Sequence, residues 1–162
     1  MVTATKSAQI SILIPLFNEE AALPLLFARL DTLLQTMPQR IEVVLVDDGS
    51  RDATPALIHR KAMTDARYQC VSLSRNFGHQ TALSAAMNVA RATEAVFVID
   101  GDLQDPPELL PRFYELMQQG NDVVYGVRRE RKEGWLKVTA YHLAYRVIRA
   151  LAHLDIPLDS GG

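Results

Sequence analysis

Short apolar runs that alternate with helical patterns constrain the fold of this chain more than any other feature of its sequence. Runs of this length and composition are typical of buried strands, which we predict at residues 10–16, 41–46, 69–73, 95–99 and 122–126. The intervening segments predict helices at 19–35 with Asn18 as N-cap, from Asp52 or Thr54 to about 65, at 78–92 and at 108–119. This alternation indicates an α/β fold, a mostly parallel sheet with helices on both faces.

Polar residues follow every predicted strand, at what would be the carboxyl edge of the sheet. They form clusters at 18–20, 47–48, 75–76 and 100–105, and Arg128 follows the fifth strand. In open parallel sheets, ligands bind beyond the carboxyl ends of the strands. The sequence therefore predicts one binding site built from these turns.

Asp100 and Asp102, separated by Gly101, directly follow the apolar residues 96–99. Two carboxylates one residue apart, with glycine between them, can turn toward one site, and hard oxygen ligands of this kind suit Mg²⁺ or Mn²⁺. A metal held by few carboxylates keeps positions for substrate phosphates and can neutralise charge on a departing diphosphate. The alternative is a polar turn that caps the helix beginning near Pro106.

The other polar clusters have both a binding and a structural interpretation. Asp47 or Asp48 can accept hydrogen bonds from a nucleobase or a ribose hydroxyl, with Gly49 allowing close approach, but the pair also fits an Asx-type turn. Arg75 can contact phosphate or pair with a nearby acid. Arg128 can bind a diphosphate through two nitrogens or belong to a solvated run of charges.

Several classes of protein are disfavoured by motifs that the sequence lacks. It contains no GxGxxG after the first strand and no GxxxxGK[ST], which argues against dinucleotide-binding and P-loop folds. It also lacks GxSxG and zinc-ligand spacing, and Cys70 is its single cysteine. We expect no nucleic-acid partner, no secretory signal sequence and no simple membrane-spanning helix.

Taken together, the motifs resemble those of glycosyltransferase family 2. The matching segments read IPLFNEE (14–20), VDDGS (46–50), SRNFG (74–78) and DGDLQDPP (100–107). DLQDPP, and the stretch from YGVR (125–128) through EGW (133–135), are most similar to the branch of dolichol-phosphate mannosyltransferases and bactoprenol glucosyltransferases. The resemblance covers essentially the whole chain.

The resemblance implies a GT-A fold and an inverting transfer of a sugar from a UDP- or GDP-sugar to a polyprenyl phosphate, either undecaprenyl or dolichyl phosphate. It implies Mg²⁺ or Mn²⁺ as cofactor at Asp100 and Asp102, with Gln104 as a further ligand. Arg128 is expected to meet donor or acceptor phosphate and, with the two aspartates, to be catalytic. The resemblance implies that Pro15, Asn18, Glu19 and Asp47 lie around the nucleotide sugar. Asp48 and Arg75 are added to this predicted site because of their positions in the turns after the strands.

The C-terminal part of the chain differs in charge from the rest. Residues 1–127 carry a net charge of −5, and residues 128–162 carry +3. Residues 134–154 have the pattern of an amphipathic helix that either lies in a membrane interface or packs on the sheet, and the resemblance favours the membrane. We therefore predict a nucleotide-sugar-binding domain at 1–133 and a juxtamembrane helix with a shortened acceptor-side segment at 134–162, at the cytoplasmic face of a membrane.

Two other functions stay open from the sequence. One is a family 2 glycosyltransferase that acts on a saccharide hydroxyl, which would require a general base. The other is a donor-binding fragment without turnover, because related enzymes continue beyond the point where this sequence ends. The identity of the sugar and the oligomeric state are also left open.

Overall fold

The computed structural model of the chain describes residues 8–127. The chain divides into two compact units, Met1–Val124 and Tyr125–Gly162, and the predicted boundary between 133 and 134 lies outside the described residues. None of the helices formed by residues 8–127 has the length and apolarity needed to cross a bilayer. The elements, all in the first unit, are β1 (Ile10–Leu16), α1 (Leu23–Thr36), β2 (Ile41–Asp47), α2 (Thr54–Thr64), β3 (Tyr68–Ser72), α3 (His79–Val89), β4 (Ala95–Val98), a 3₁₀ helix (Pro107–Leu109) and α4 (Leu110–Gln118).

The strands of the described residues form one parallel sheet in the order β3-β2-β1-β4. Helices connect successive strands, because parallel neighbours cannot be joined by a tight hairpin. Leu16 at the end of β1 lies beside Asp47 at the end of β2, and Leu13 lies beside Val98 at the end of β4. The ends of these three strands therefore lie along one edge of the sheet, as predicted.

Side chains of β1 and β2 alternate between two apolar cores on opposite faces of the sheet. The larger core lies under α1, α2 and α4 and includes Ile12, Ile14, Leu26, Leu30, Val43, Leu45, Ile58 and Leu110. The smaller core lies under α3 and consists of Leu13, Val44, Val46, Ala82 and Ala86. The predicted sheet with helices on both faces is confirmed, and the alternation directs Asp47 to the α1 face and Asp48 to the α3 face.

The first helix begins at Leu23 rather than at Glu19, and its N-cap is Ala22. The prediction that Asn18 caps this helix is therefore wrong. Asn18 has a left-handed backbone with a φ of 57°, and its side chain accepts a hydrogen bond from the N–H of Arg51. Contacts to a distant turn thus hold this segment out of the helix. The other predicted elements up to α4 are present, with ends displaced by a few residues.

The strand predicted at 122–126 is not formed, since residues 121–127 have no strand conformation. Val123, Tyr125 and Val127 are 78%, 77% and 73% exposed. An apolar run becomes a strand only where a neighbouring strand satisfies its backbone hydrogen bonds. No strand formed by residues 8–127 pairs with residues 122–126.

Candidate functional site

A cavity of about 290 Å³ lies at the carboxyl edge of the sheet, where β1, β2 and β4 end. Its lining comes from the turns after these strands and from the start of α3: Pro15, Leu16, Phe17, Glu19, Asp48, Asn76, Gly78, His79, Ala82, Asp100, Gly101 and Asp102. A concave surface with a few convergent polar groups is the usual form of a small-ligand site, and the position agrees with the rule for open parallel sheets.

Four carboxylates, those of Glu19, Asp48, Asp100 and Asp102, belong to this lining. Burial raises the pKa of Glu19 above its ordinary value of 4.5, and the charges of Asp102, Asp52 and Asp100 raise it further. No Lys or Arg among residues 8–127 forms an ion pair with any of the four. Negative charge is therefore concentrated in the cavity without a compensating Lys or Arg from the described part of the chain.

The turn that carries Asp100 and Asp102 packs closely against the end of β1. A Cβ atom on Gly101 would lie 2.3 Å from the side chain of Leu16, so a larger residue there would displace Leu16. Leu103 has a left-handed backbone with a φ of 67°, and the N–H of Gln104 donates to Oδ1 of Asp102 at 2.9 Å. This turn hydrogen bond uses one carboxylate oxygen of Asp102 and does not involve the other.

The turn after β1 is bound to the turn after β2 by hydrogen bonds in both directions. The N–H of Asn18 donates to Oγ of Ser50 at 2.8 Å, and the N–H of Arg51 donates to Oδ1 of Asn18 at 2.9 Å. The N–H of Glu19 donates to Oγ1 of Thr54, also at 2.8 Å. Because its main chain is fixed in this way, Glu19 reaches the cavity from a well-defined turn.

Asp47 and Asp48 are each 3% exposed, and both accept hydrogen bonds from backbone N–H groups. Oδ1 of Asp47 accepts from Ser50 at 3.0 Å. The two oxygens of Asp48 accept from Phe77 at 2.8 Å and from Gly78 at 2.9 Å. The turn interpretation therefore holds for Asp47, whereas Asp48 binds the loop before α3, and contacts from either residue to a donor stay predictions.

Two basic side chains follow β3 near the carboxyl edge, Arg75 in the loop before α3 and His79 as the first residue of α3. The guanidinium of Arg75 lies 4.4 Å from the centre of the Phe77 ring, a cation–π contact. Nδ1 of His79 lies 3.9 Å from Oδ1 of Asp100, which is too long for a hydrogen bond. Both side chains of this second pair are about half exposed, so His79 and Asp100 stand next to each other on the accessible side of the cavity.

The structure brings together part of the predicted site. The predicted residues that line the cavity are Pro15, Glu19, Asp48, Asp100 and Asp102. The predicted residues that do not line it are Asn18, Asp47, Arg75 and Gln104, and Arg128 lies outside the described residues. Three further lining residues, Phe17, Asn76 and His79, were not predicted individually as site residues, although Asn76 belongs to the predicted polar cluster at 75–76. Their positions in the same strand-end turns are the signal that could have identified them.

The fit of a divalent cation depends on the ligands that the cavity offers. Within residues 8–127, no three His, Cys, Asp or Glu side chains form a preformed metal cluster. Asp100 and Asp102 nevertheless supply the hard oxygen ligands that Mg²⁺ and Mn²⁺ prefer, and Mg²⁺ commonly binds one or two carboxylates and takes its other ligands from substrate phosphates and water. The donor set fits such an ion when a phosphorylated ligand is present.

Comparison with known proteins assigns the chain to a family. The model of glycosyl transferase family 2 matches residues 11–157, and the chain belongs to this family. The undecaprenyl-phosphate 4-deoxy-4-formamido-L-arabinose transferase of Aeromonas hydrophila is 38% identical over 141 residues, which are 86% of this chain and 43% of that protein. The bactoprenol glucosyl transferase of Shigella phage SfX is 39% identical over 130 residues, or 80% and 42%. The predicted family and branch are confirmed, and the chain spans less than half the length of these relatives.

The fold is also found among solved structures. The crystal structure of S. aureus TarS 1-349 matches with a TM-score of 0.57 and 22% identity, over 77% of this chain and 40% of that one. At this level of identity the likeness concerns the fold alone, and it confirms the predicted GT-A fold.

Proposed function

We propose that this chain forms the donor site of an inverting glycosyltransferase that moves a sugar from a UDP- or GDP-sugar to a polyprenyl phosphate. The observation that carries the proposal is the convergence of Glu19, Asp100 and Asp102 on one cavity, with no Lys or Arg partner among residues 8–127. Repulsion between negative charges that line one cavity opposes folding. A divalent cation has the charge and the ligand preference that would offset this repulsion, and it would keep coordination positions for a diphosphate.

Asp100 and Asp102 would hold Mg²⁺ or Mn²⁺, with Gln104 as the proposed further ligand. When bound, the cation neutralises charge on the departing nucleoside diphosphate. Phe17 lines the cavity and is 42% exposed, so its ring offers a surface on which a nucleobase can stack. Pro15 and Glu19 are proposed to contact the donor from the same turn.

Three predicted donor contacts require a ligand that extends beyond the cavity. Asn18, Asp47 and Arg75 do not belong to its lining. Asn18 accepts a hydrogen bond from the turn after β2, and Asp47 accepts one within its own turn. Of these three residues only Arg75, whose guanidinium stacks on Phe77, has a positive charge that can contact a phosphate. We retain it as the proposed phosphate contact.

The proposed acceptor is a polyprenyl phosphate because two relatives are named as undecaprenyl-phosphate and bactoprenol sugar transferases. A phosphate oxygen of such an acceptor is already ionised near neutral pH, so it can attack the anomeric carbon without a general base. The new C–O bond forms opposite the bond to the leaving diphosphate, which inverts the configuration. The chain's own contribution is to hold the donor in the geometry for this attack.

We place the enzyme at the cytoplasmic face of a membrane, as a peripheral protein, because its proposed acceptor is a lipid. The proposed domain boundary after residue 133, the phosphate contact of Arg128 and the membrane helix at 134–154 all concern residues outside 8–127. Flotation of the protein with vesicles, with and without anionic lipid, tests the membrane part of the proposal. We expect flotation that depends on anionic lipid and is weakened by salt.

A donor panel tests the proposed reaction. The 162-residue chain is incubated with Mn²⁺ or Mg²⁺, radiolabelled UDP- and GDP-sugars and undecaprenyl phosphate in vesicles. We expect label in the lipid fraction from one donor, and its loss in Asp102→Asn. Transfer to a saccharide instead would assign the hydroxyl acceptor, and donor binding without transfer would assign a binding role. Absence of any donor binding to the folded protein, measured by calorimetry, would contradict the proposal.

A further inference from the structure

Both oxygens of the Asp48 carboxylate are already engaged within the protein. Oδ1 accepts from the N–H of Phe77 at 2.8 Å and Oδ2 from the N–H of Gly78 at 2.9 Å. Hydrogen bonds to an ionised carboxylate are stronger than neutral ones, and Asp48 is only 3% exposed. Turning this carboxylate toward a ligand would leave two backbone N–H groups without their acceptor, which is costly in a poorly exposed site.

Gly49 reinforces the connection that Asp48 makes. Its φ is +72°, and a Cβ atom on it would lie 2.3 Å from the carbonyl carbon of Arg75 and 2.6 Å from the nitrogen of Asn76. Glycine alone lets the two main chains approach this closely. The turn after β2 is therefore in direct contact with the loop at 75–78 through two successive residues.

This loop supplies part of the cavity and the beginning of α3. Asn76, Gly78 and His79 all belong to the cavity lining. The Asp48 carboxylate is a negative group at the N-terminal end of α3, where exposed N–H groups favour one. His79 is the first residue of α3, and it lies 3.9 Å from Asp100. The distance between these two side chains thus depends on where Asp48 holds the loop.

We propose that Asp48 is a positioning residue, which fixes the loop at 75–78 and so places Asn76 and His79 in the cavity lining, with His79 beside Asp100. The role differs from the direct contact to a nucleobase or ribose that the sequence predicts for Asp48. The inference rests on the proposed function, because the ligand whose binding it explains is a nucleoside diphosphate with its divalent cation.

The variant that tests this role is Asp48→Asn. An asparagine keeps one acceptor oxygen but turns an NH₂ group toward the other backbone N–H, so that two donors face each other. The ligand is Mn²⁺-UDP or Mn²⁺-GDP, whichever the wild-type protein binds. We expect its dissociation constant to rise roughly tenfold in the variant. The amides of Phe77 and Gly78 should exchange with solvent at least about tenfold faster in the free variant.

Glu42→Gln is the matched control. Glu42 is another buried carboxylate on β2 that accepts a backbone N–H, here from Arg91. It lies six residues before Asp48, which is about 20 Å along an extended strand. The control loses a comparable charge-assisted interaction, and we expect nucleotide binding within about twofold of the wild type because the sites are far apart.

Amide exchange in the wild-type protein tests whether Asp48 keeps its bonds to the loop when the site is occupied, and it does not depend on how well any variant folds. If Asp48 positions the loop, the amides of Phe77 and Gly78 stay protected when Mn²⁺ and the nucleotide saturate the site. Loss of their protection on ligand binding would show that Asp48 turns to the ligand, and it would overturn the proposal. Unchanged nucleotide affinity in Asp48→Asn, with faster exchange at both amides, would overturn it as well.

Failure of this inference can be told apart from failure of the proposed function. A wild-type chain that binds neither nucleotide would refute the donor site, and the positioning role would fall with it. A wild-type chain that binds a nucleotide as tightly as Asp48→Asn does would refute the positioning role alone.

Discussion

At the amino edge of the sheet the carboxylate of Glu42 is buried among hydrogen-bond donors, whereas at the carboxyl edge Glu19 lies among other carboxylates. Burial disfavours ionisation of Glu42, but hydrogen bonds from Ser11 and Arg91 outweigh it and lower its pKa. At Glu19 burial and neighbouring acids act in the same direction and raise the pKa. The two edges therefore shift the pKa of a buried acid, Glu42, and of a partly buried acid, Glu19, in opposite directions.

The two edges differ in whether the chain itself compensates the charge of the carboxylate. Glu42 receives hydrogen bonds at both oxygens from Ser11, Gln69 and Arg91, so its charge is compensated within the chain. The acids of the cavity have no Lys or Arg partner among residues 8–127. Unfavourable electrostatics concentrated at one place are typical of a functional site. Substitutions at the two edges test this difference.

The largest effect on stability is expected for Gly49→Ala, at the carboxyl edge but in the scaffold. The new Cβ atom would meet the main chain of Arg75 at 2.3 Å, and the backbone has a φ of +72°. Strain and steric overlap together should lower the free energy of unfolding by about 4 kcal/mol, measured by urea denaturation.

Gly120→Ala provides the control for this variant. Gly120 also has a positive φ, +98°, but its Cβ atom would meet nothing within 4 Å. We expect a loss of about 1 kcal/mol there, from backbone strain alone. Equal losses in the two variants would contradict the close contact between the turn after β2 and the loop at 75–78.

A smaller effect is expected for Glu42→Gln at the amino edge. Loss of the charge-assisted hydrogen bonds should lower the free energy of unfolding by about 2 kcal/mol at neutral pH. Because the folded-state pKa of Glu42 is lowered, the wild-type protein has this stabilisation above the ordinary Glu pKa. It loses the stabilisation as the pH falls through the folded pKa. The difference between wild type and variant should therefore shrink in acid, and a constant difference would contradict the assignment.

The smallest effect is expected for Glu19→Gln, and it has the opposite sign. The folded-state pKa of Glu19 is raised above 4.5, so the folded protein binds this proton more tightly than the unfolded chain does. Wild-type stability should fall as the pH rises from the ordinary value through the raised one. The variant avoids this loss and should be more stable near neutral pH, by less than about 0.5 kcal/mol.

Glu115→Gln is the control for the last variant, because Glu115 is an exposed acid paired with Arg112 within α4. Removing the charge of Glu115 should slightly lower the free energy of unfolding rather than raise it. Added Mn²⁺ and nucleotide should also abolish the advantage of Glu19→Gln, since a bound cation would compensate the charge of Glu19. A stabilisation that is independent of pH and of Mn²⁺ would refute electrostatic repulsion as its cause.

Sequence patterns predicted the sheet and the metal-site candidates because both depend on local features. Buried strands require continuous apolar runs, and Asp100 and Asp102 follow one of them at the edge where ligands bind. The missing strand at 122–126 shows the limit of this reasoning, since an apolar run also needs an edge to pair with.

The parts that could not be predicted depend on contacts between distant turns. Asn18 seemed a helix cap, but the hydrogen bond that determines its conformation comes from Arg51, 33 positions later. The partners of Asp48 are 29 and 30 positions away. No local pattern distinguishes a carboxylate committed to such partners from one that is open to a ligand.

Mn²⁺ binding followed by electron paramagnetic resonance tests the donor site most directly. The titration compares wild type, Asp102→Asn and Glu42→Gln, each with and without UDP or GDP. We expect the wild type to bind Mn²⁺ at least about tenfold more tightly with its nucleotide present, Asp102→Asn to lose this binding, and Glu42→Gln to retain it. Folded wild-type protein that binds no Mn²⁺ with either nucleotide, or an Asp102→Asn variant that binds it equally well, would contradict a metal-dependent donor site at this edge of the sheet.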